Sequence, residues 1–198
     1  MNSCFRGVHH LALNTDDMQL TIDFYSGVLG MPLIHAMRVP PGVGVGPGNR
    51  GNPPYENLRH YFFDMGHDST LAFFEIPKGA EAKGDRNTIA SMQHVALATD
   101  AAGGAELLER LARAGIENSG AIESFPNLFS VYFYDPNGIR LEFAWQAAPI
   151  GGNAITVLES VKQSRHEALA ELRTLTTDEA WLERATAYWT KDPATSRP

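Results

Sequence analysis

The chain is short of cysteine, of basic charge and of long apolar runs. One of its 198 residues is a cysteine, Cys4, so neither an intrachain disulfide framework nor a zinc finger can be built. Lys and Arg number 16 against 23 Asp and Glu, a net charge of −7. That balance argues against nucleic acid or an anionic membrane as partner. No run approaches the ~18 apolar residues of a membrane span. Met1-Asn2-Ser3-Cys4-Phe5-Arg6 lacks the apolar stretch of a secretory leader. The absences leave a soluble, cytoplasmic protein as the expectation. With 43% hydrophobic and 20% charged residues, the chain can bury a core.

What is present is a repeat. Val8-His9-His10-Leu11-Ala12-Leu13-Asn14-Thr15-Asp16 returns as Met92-Gln93-His94-Val95-Ala96-Leu97-Ala98-Thr99-Asp100. Superposing His10 on His94 aligns both Thr-Asp pairs, each of which ends a short strand and can cap a helix. Helices are predicted from about Asp17 to Val28 and from about Ala102 to Ala114, stopping near Gly30 and at Gly115. Aromatic-rich strands follow in each copy: Arg59–Met65 and Thr70–Ile76, then Ser130–Tyr134 and Ile139–Trp145. Asp135-Pro136-Asn137-Gly138 joins the second pair as a turn. The unit is strand, helix, then two or three strands, occurring twice.

Two stretches fall outside the repeat. Val39–Leu58 holds five Pro and five Gly and is expected to be a loop, either a lid over a site or an inert insertion. Beyond Ala148, helical spacing links Ile155, Leu158, Val161, Ala168, Leu169, Leu172 and Leu175. A fresh start at Thr176-Thr177-Asp178-Glu179 carries Trp181, Leu182, Ala185, Tyr188 and Trp189. This apolar stripe is expected to dock on the sheet's outer face or on a second copy, making a homodimer.

Strand alternation sets Leu71, Phe73 and Glu75 on one side, and Arg140, Glu142 and Ala144 opposite Leu141, Phe143 and Trp145. Each copy thus offers a histidine from its first strand and a glutamate from its last: His10 and Glu75, His94 and Glu142. A carboxylate among apolar neighbours is costly unless paired or bound to a cation. An N and O donor set suits Fe(II), Mn, Ni, Zn or Co. His9, His35, His60, His67 and His166 are read as packed or surface histidines. Glu75 fits least well, because the turn before its strand is four residues longer than its counterpart: Asp64 to Glu75 is 11, Asp135 to Glu142 is 7.

The motifs resemble the vicinal oxygen chelate superfamily, which includes glyoxalase I, extradiol dioxygenases, bleomycin and fosfomycin resistance proteins and methylmalonyl-CoA epimerase. They are His10-Leu-Ala-Leu, Phe24-Tyr25 with Val28-Leu29-Gly30-Met31, His94-Val-Ala-Leu, and Tyr132-Phe-Tyr-Asp-Pro-Asn-Gly-Ile-Arg-Leu-Glu142-Phe. The resemblance implies an α+β fold with two βαβββ modules, about residues 7–78 and 89–146. These would form a half-open barrel around one metal site within a domain of residues 1–149, followed by a C-terminal helical extension, 150–198. It implies one divalent ion on His10, His94 and Glu142, with Glu75 as fourth ligand in the glyoxalase and epimerase branches.

Three ligands would make a two-His, one-carboxylate face suited to Fe(II) and O₂. Four would make a Lewis acid for proton transfer beside a carbonyl, with Glu75 also able to act as general base. The resemblance favours an extradiol-like dioxygenase with Fe(II), acting on a small phenolic substrate. Tyr132 stands where that branch has a catalytic tyrosine, and Phe63, Phe73, Phe125 and Phe129 suit an aromatic substrate. Against it, Glu123, Ser124 and Phe125 occupy the position of that branch's upstream histidine. Mn, Ni, Co or Zn belong with the alternative, a glyoxalase- or epimerase-type isomerase or lyase; there Asn14 replaces the glutathione-binding arginine of glyoxalase I. A non-catalytic resistance-type binder is the second alternative.

Overall fold

The structure is a computed structural model, and it describes residues 7–43, 51–146, 163–187 and 189. The chain divides into two compact units, Arg6–Pro149 and a second made of Met1–Phe5 with Ile150–Pro198. In the larger unit the strand–helix–strands pattern occurs twice. The first module runs β1 (His10–Thr15), α1 (Met18–Ile22), a π-helical turn (Asp23–Val28), β2 (Leu33–Arg38), β3 (Arg59–Gly66) and β4 (Ser69–Glu75). The second runs β5 (Val95–Ala98), α2 (Ala101–Arg113), β6 (Ile122–Phe125), β7 (Leu128–Tyr134) and β8 (Arg140–Gln146).

Each module makes one four-stranded sheet, ordered β1-β4-β3-β2 and β5-β8-β7-β6. In both, the first and last strands pair in parallel and the rest are antiparallel. The fold is α+β, as the repeat predicts, with a third strand in each module's meander. Among the described residues the two sheets share no ladder, so no barrel closes.

The second helix begins where expected, with Asp100 accepting from the Gly103 amide at 2.7 Å. In the first copy the cap moves one residue on, to Asp17, which accepts from Leu20 N at 3.0 Å. Thr15 is buried and its hydroxyl is engaged with Asn137 and Thr21, so the strand runs to Thr15 before the helix starts. The π-helical turn that follows closes through Leu29 N to Phe24 O at 3.0 Å. Both adjacent rings, Phe24 and Tyr25, are buried there.

One apolar core covers the helix-facing sides of both sheets. It joins Met18, Phe24, Tyr25, Phe63, Leu71 and Phe73 to Leu107, Leu111, Val131, Phe133, Leu141 and Trp145. Helix α2 lies close on its sheet at Gly104, where an added Cβ would stand 2.9 Å from the Trp145 ring. A smaller cluster of Val39, Leu58 and Phe74 pins both ends of the Gly/Pro-rich loop to the opposite side of the first sheet. The middle of that loop, residues 44–50, lies outside the described residues.

In the smaller unit, α3 (Arg165–Leu172) opens with a Ser164/Glu167 capping box, and α4 (Glu179–Ala185) is capped by Asp178. Arg165 ties them, bonding Thr186 at 3.1 Å and Glu183 at 2.9 Å. Of the residues that the helical spacing links, Ala168, Leu169 and Leu172 lie on α3; Ile155, Leu158 and Val161 lie outside the described residues, as does Tyr188. Leu182 is buried while Trp181 and Trp189 are partly exposed.

The modules meet at the Asp135-Pro-Asn-Gly turn. The Tyr25 hydroxyl donates to Asp135 Oδ2 at 3.1 Å, and Thr15 to Asn137 Oδ1 at 2.7 Å. Asp135 Oδ1 also accepts from the amides of Asn137 and Ile139. Burial raises the Asp135 carboxyl above the ordinary range, against the pull of hydrogen bonds from Asn137, Ile139 and Tyr25. A raised carboxyl stabilises the fold fully below its unfolded pKa, about 3.9, and that contribution is lost as pH rises through the raised folded value. Replacing Tyr25 by Phe should cost about 1–3 kcal/mol in urea unfolding at neutral pH. The same variant should extend the fall in stability to higher pH, since one bond holding the pKa down is gone.

Candidate functional site

Residue alternation on β8 puts Leu141, Phe143 and Trp145 in the core, so Glu142 projects from the side of the sheet away from α2. Its carboxylate is 7% exposed, which is costly without donors. Two partners supply them. Oε1 accepts from the buried Ser130 hydroxyl at 2.7 Å, and Oε2 lies 2.9 Å from His94 Nε2. Ser130 comes from the same face of β7 as Tyr132, which stands directly across from Glu142.

The other side of the His94 ring is also held. Its Nδ1 meets Gln93 Oε1, an oxygen that Arg140 Nη1 also approaches at 3.5 Å. A carbonyl oxygen needs a donor, so Nδ1 carries a proton. Nε2 then faces a carboxylate either as a second N–H or as a lone pair, and a lone pair at 2.9 Å is tolerable only with a cation between. The pair is thus either an imidazolium–carboxylate bridge or two donor atoms that a cation could share. The Tyr132 ring stands edge-on to His94, centroids 6.1 Å apart, and the Arg140 guanidinium sits 4.2 Å above Tyr132.

His10 is not brought to this pair. Its Nδ1 lies 2.9 Å from His9 Nδ1, and its ring is edge-on to Phe62. His35 and His60 also approach Phe62, at 5.7 and 4.4 Å between centroids. His60 stacks on Phe74 at 3.7 Å, and burial lowers its pKa, helped by the charges of His10 and His35. Among the described residues no three His, Cys, Asp or Glu side chains stand together as a metal-holding group.

Glu75 is not brought there either, for a reason of strand register. Glu142 lies opposite Ala96 and Tyr132. The residue placed likewise in the first module is Ala72, opposite Ala12 and Phe62. Glu75 is three positions further along β4, an odd step, and projects from the helix side. There it accepts from Met18 N at 3.0 Å and ion-pairs with Arg59. It secures the start of α1. The placement supports neither a fourth ligand beside Glu142 nor a base acting with it.

The expected aromatic lining is corrected too. Phe63 and Phe73 are fully buried in the helix-side core, Phe129 stacks on Trp145 there, and Phe125 is 69% exposed. The rings on the site's side of the sheets include Phe62, Phe74 and Tyr132. Glu123, in the stretch that replaces the expected upstream histidine, accepts from the Asn127 amide at 2.9 Å. Ser130, Gln93 and Arg140 were missed as site residues, although strand alternation from Glu142 and Tyr132 points to Arg140 and Ser130.

Two paired βαβββ modules, the second carrying His94 against the buried Glu142, define a vicinal-oxygen-chelate type of fold. Residues 7–143 match the Glyoxalase/Bleomycin resistance protein/Dioxygenase superfamily, and the chain belongs to that superfamily. A protein described as an iron-dependent extradiol dioxygenase from Rhodococcus jostii (strain RHA1) is 27% identical over 162 residues, 80% of this chain and 49% of that protein. The chain thus spans about half the length of this relative. A glyoxylase/bleomycin resistance protein/dioxygenase domain from Frankia sp. EAN1pec superposes with a TM-score of 0.57 at 19% identity, over 74% of this chain and 96% of that one. A fosfomycin resistance protein from Listeria monocytogenes, complexed with Mn(II) and 1S,2S-dihydroxypropylphosphonic acid, gives 0.51 at 18%, over 80% and 99%. At these identities the structures share the fold alone.

Replacing Ser130 by Ala should leave one oxygen of a buried carboxylate without its donor. The expected loss is about 1–3 kcal/mol, checked by chemical unfolding. In Glu142→Gln the same Ser130→Ala change should cost less, because the carboxylate that needs the donor is gone.

Proposed function

We propose that this protein is a metal-dependent ring-opening dioxygenase acting on a small phenolic substrate through two neighbouring oxygens. The observation that carries the reading is the register at Ala72. With alanine where a fourth ligand would stand, a set drawn from His94, Glu142 and His10 would be two histidines and one carboxylate, the face suited to Fe(II) oxygenases. The extradiol dioxygenase among the relatives supports the same choice.

His94, Glu142 and His10 would hold the ion, Fe(II) in first place, with His10 leaving His9 and Phe62 to join. When bound, such an ion supplies Lewis acidity and access to O₂ chemistry. The chain's own residues do the rest. Gln93, bonded to His94 Nδ1, would leave Nε2 as the atom offered to an ion. Ser130 holds Glu142 in a single orientation. Among the described residues the Tyr132 hydroxyl takes no protein partner, so it is free to hold or pass the proton of a substrate phenol. Arg140, lying over the Tyr132 ring, holds that ring against the sheet.

A resistance-type binder is the second reading, favoured by the distance of His10 from the pair. Anaerobic loading with Fe(II), then catechols and O₂, separates the two. The expected outcome is one iron per chain, oxygen uptake and coloured ring-opened products. Glu142→Ala should abolish iron retention, and Tyr132→Phe should lower kcat more than KM. Glu75→Gln should keep iron and turnover while losing only stability. Loss of metal in Glu75→Gln would instead favour the four-ligand isomerase, with Mn, Ni, Co or Zn. Failure of the wild type to retain any divalent ion would favour the binder.

A further inference from the structure

An open cleft of about 840 Å³ lies beside the site. Its walls come from Asn14 and Phe74 on the first sheet, Tyr55 on the Gly/Pro-rich loop, the segment linking the modules, and Arg140. Neither His94 nor Glu142 lines it. Arg140 is the residue that belongs both to this cleft and to the cluster around the pair.

Three cations face the cleft: Lys83, Arg86 and Arg140. Among the described residues none of them meets a carboxylate. Lys83 donates to the Pro136 carbonyl at 3.3 Å, and Arg140 spends one N–H on Gln93 at 3.5 Å. A half-buried guanidinium has five donors, so most of those on Arg140 are unspent. The cleft also holds carboxylates: Glu81 is taken by the Tyr55 hydroxyl and Asp85 by the Asn87 amide, while Asp16 stands exposed at its wall. The lining is mixed in sign. Position singles out Arg140.

Arg140 and Glu142 are alternate residues on one face of β8, so their side chains leave the strand about 7 Å apart. That is the span of a benzene ring with two adjacent hydroxyls at one end and a carboxylate at the other. We propose that Arg140 reads an anionic substituent, so that the substrate is an aromatic acid lying along the β8 face, with its carboxylate on Arg140 and its vicinal oxygens towards His94 and Glu142. The inference rests on the proposed ring-opening reading and adds a substrate class to it. Arg86 supplies a second cation from the cleft wall. A planar fork suits a carboxylate better than a point charge does.

The test compares binding of 3,4-dihydroxybenzoate and 4-methylcatechol to Fe(II)-loaded full-length protein, anaerobically, by calorimetry. The pair differs in charge at one ring position. The wild type should favour the acid by about tenfold or more. Arg140→Gln should erase most of that ratio, and Arg140→Lys should restore part of it. Equal affinities in the wild type, or an undiminished ratio in Arg140→Gln, would overturn the inference. If 4-methylcatechol is opened by O₂ without any preference for the acid, the inference fails and the dioxygenase reading stands. If the acid binds through Arg140 and no catechol consumes O₂, the anion site stands and the dioxygenase reading fails. Binding of neither compound overturns both.

Discussion

The architecture depends on one buried knot of hydrogen bonds between the modules. The Asp135-Pro-Asn-Gly turn of the second module docks on the first through Tyr25 and Thr15. Asn137 also bonds Asp135 directly at 2.9 Å. Isolated, a buried carboxylate in this place would be expensive. Here every group in the knot has its partner, and the surrounding apolar core runs unbroken from one module into the other. The same turn begins β8, so anchoring it sets where Arg140 and Glu142 lie. The distance between the knot and the site is a few residues of a single strand.

Sheet parity then decides the chemistry. On β8 the core takes the odd-numbered residues and leaves Glu142 and Arg140 on the other side. On β4 the core also takes odd numbers, Leu71 and Phe73, and Glu75 goes with them. One glutamate becomes half of a His–Glu pair; the other caps a helix and neutralises Arg59. The repeat is therefore a symmetry of backbone and not of function. The second module carries the His94–Glu142 pair, and the first contributes a face of histidines around Phe62.

That asymmetry gives each side of the site its own character. His94, Glu142, Ser130 and Gln93 form a chain of contacts in which each polar side chain is oriented by the next. Arg140 faces the cleft and lies over the Tyr132 ring, a cation on an aromatic surface. His60 and Phe74 stack on the opposite sheet beside the pinned ends of the Gly/Pro-rich loop.

The amino-acid sequence determined the module, its duplication and the positions of His94, Tyr132 and Glu142. These depend on local properties: alternation along a strand, capping at Asp100, and a turn with strong chemistry of its own. It also carried the clue that Glu75 was out of step, in the longer turn before its strand. Only the tertiary structure decided what that offset meant. Pairing of β4 with β1 put Ala72 across from Ala12, and a residue an odd number of steps away leaves on the opposite face. The partners of Glu142 were hidden for the same reason. Ser130 lies on a neighbouring strand, and a contact across strands depends on register, which composition and spacing along one chain segment do not specify.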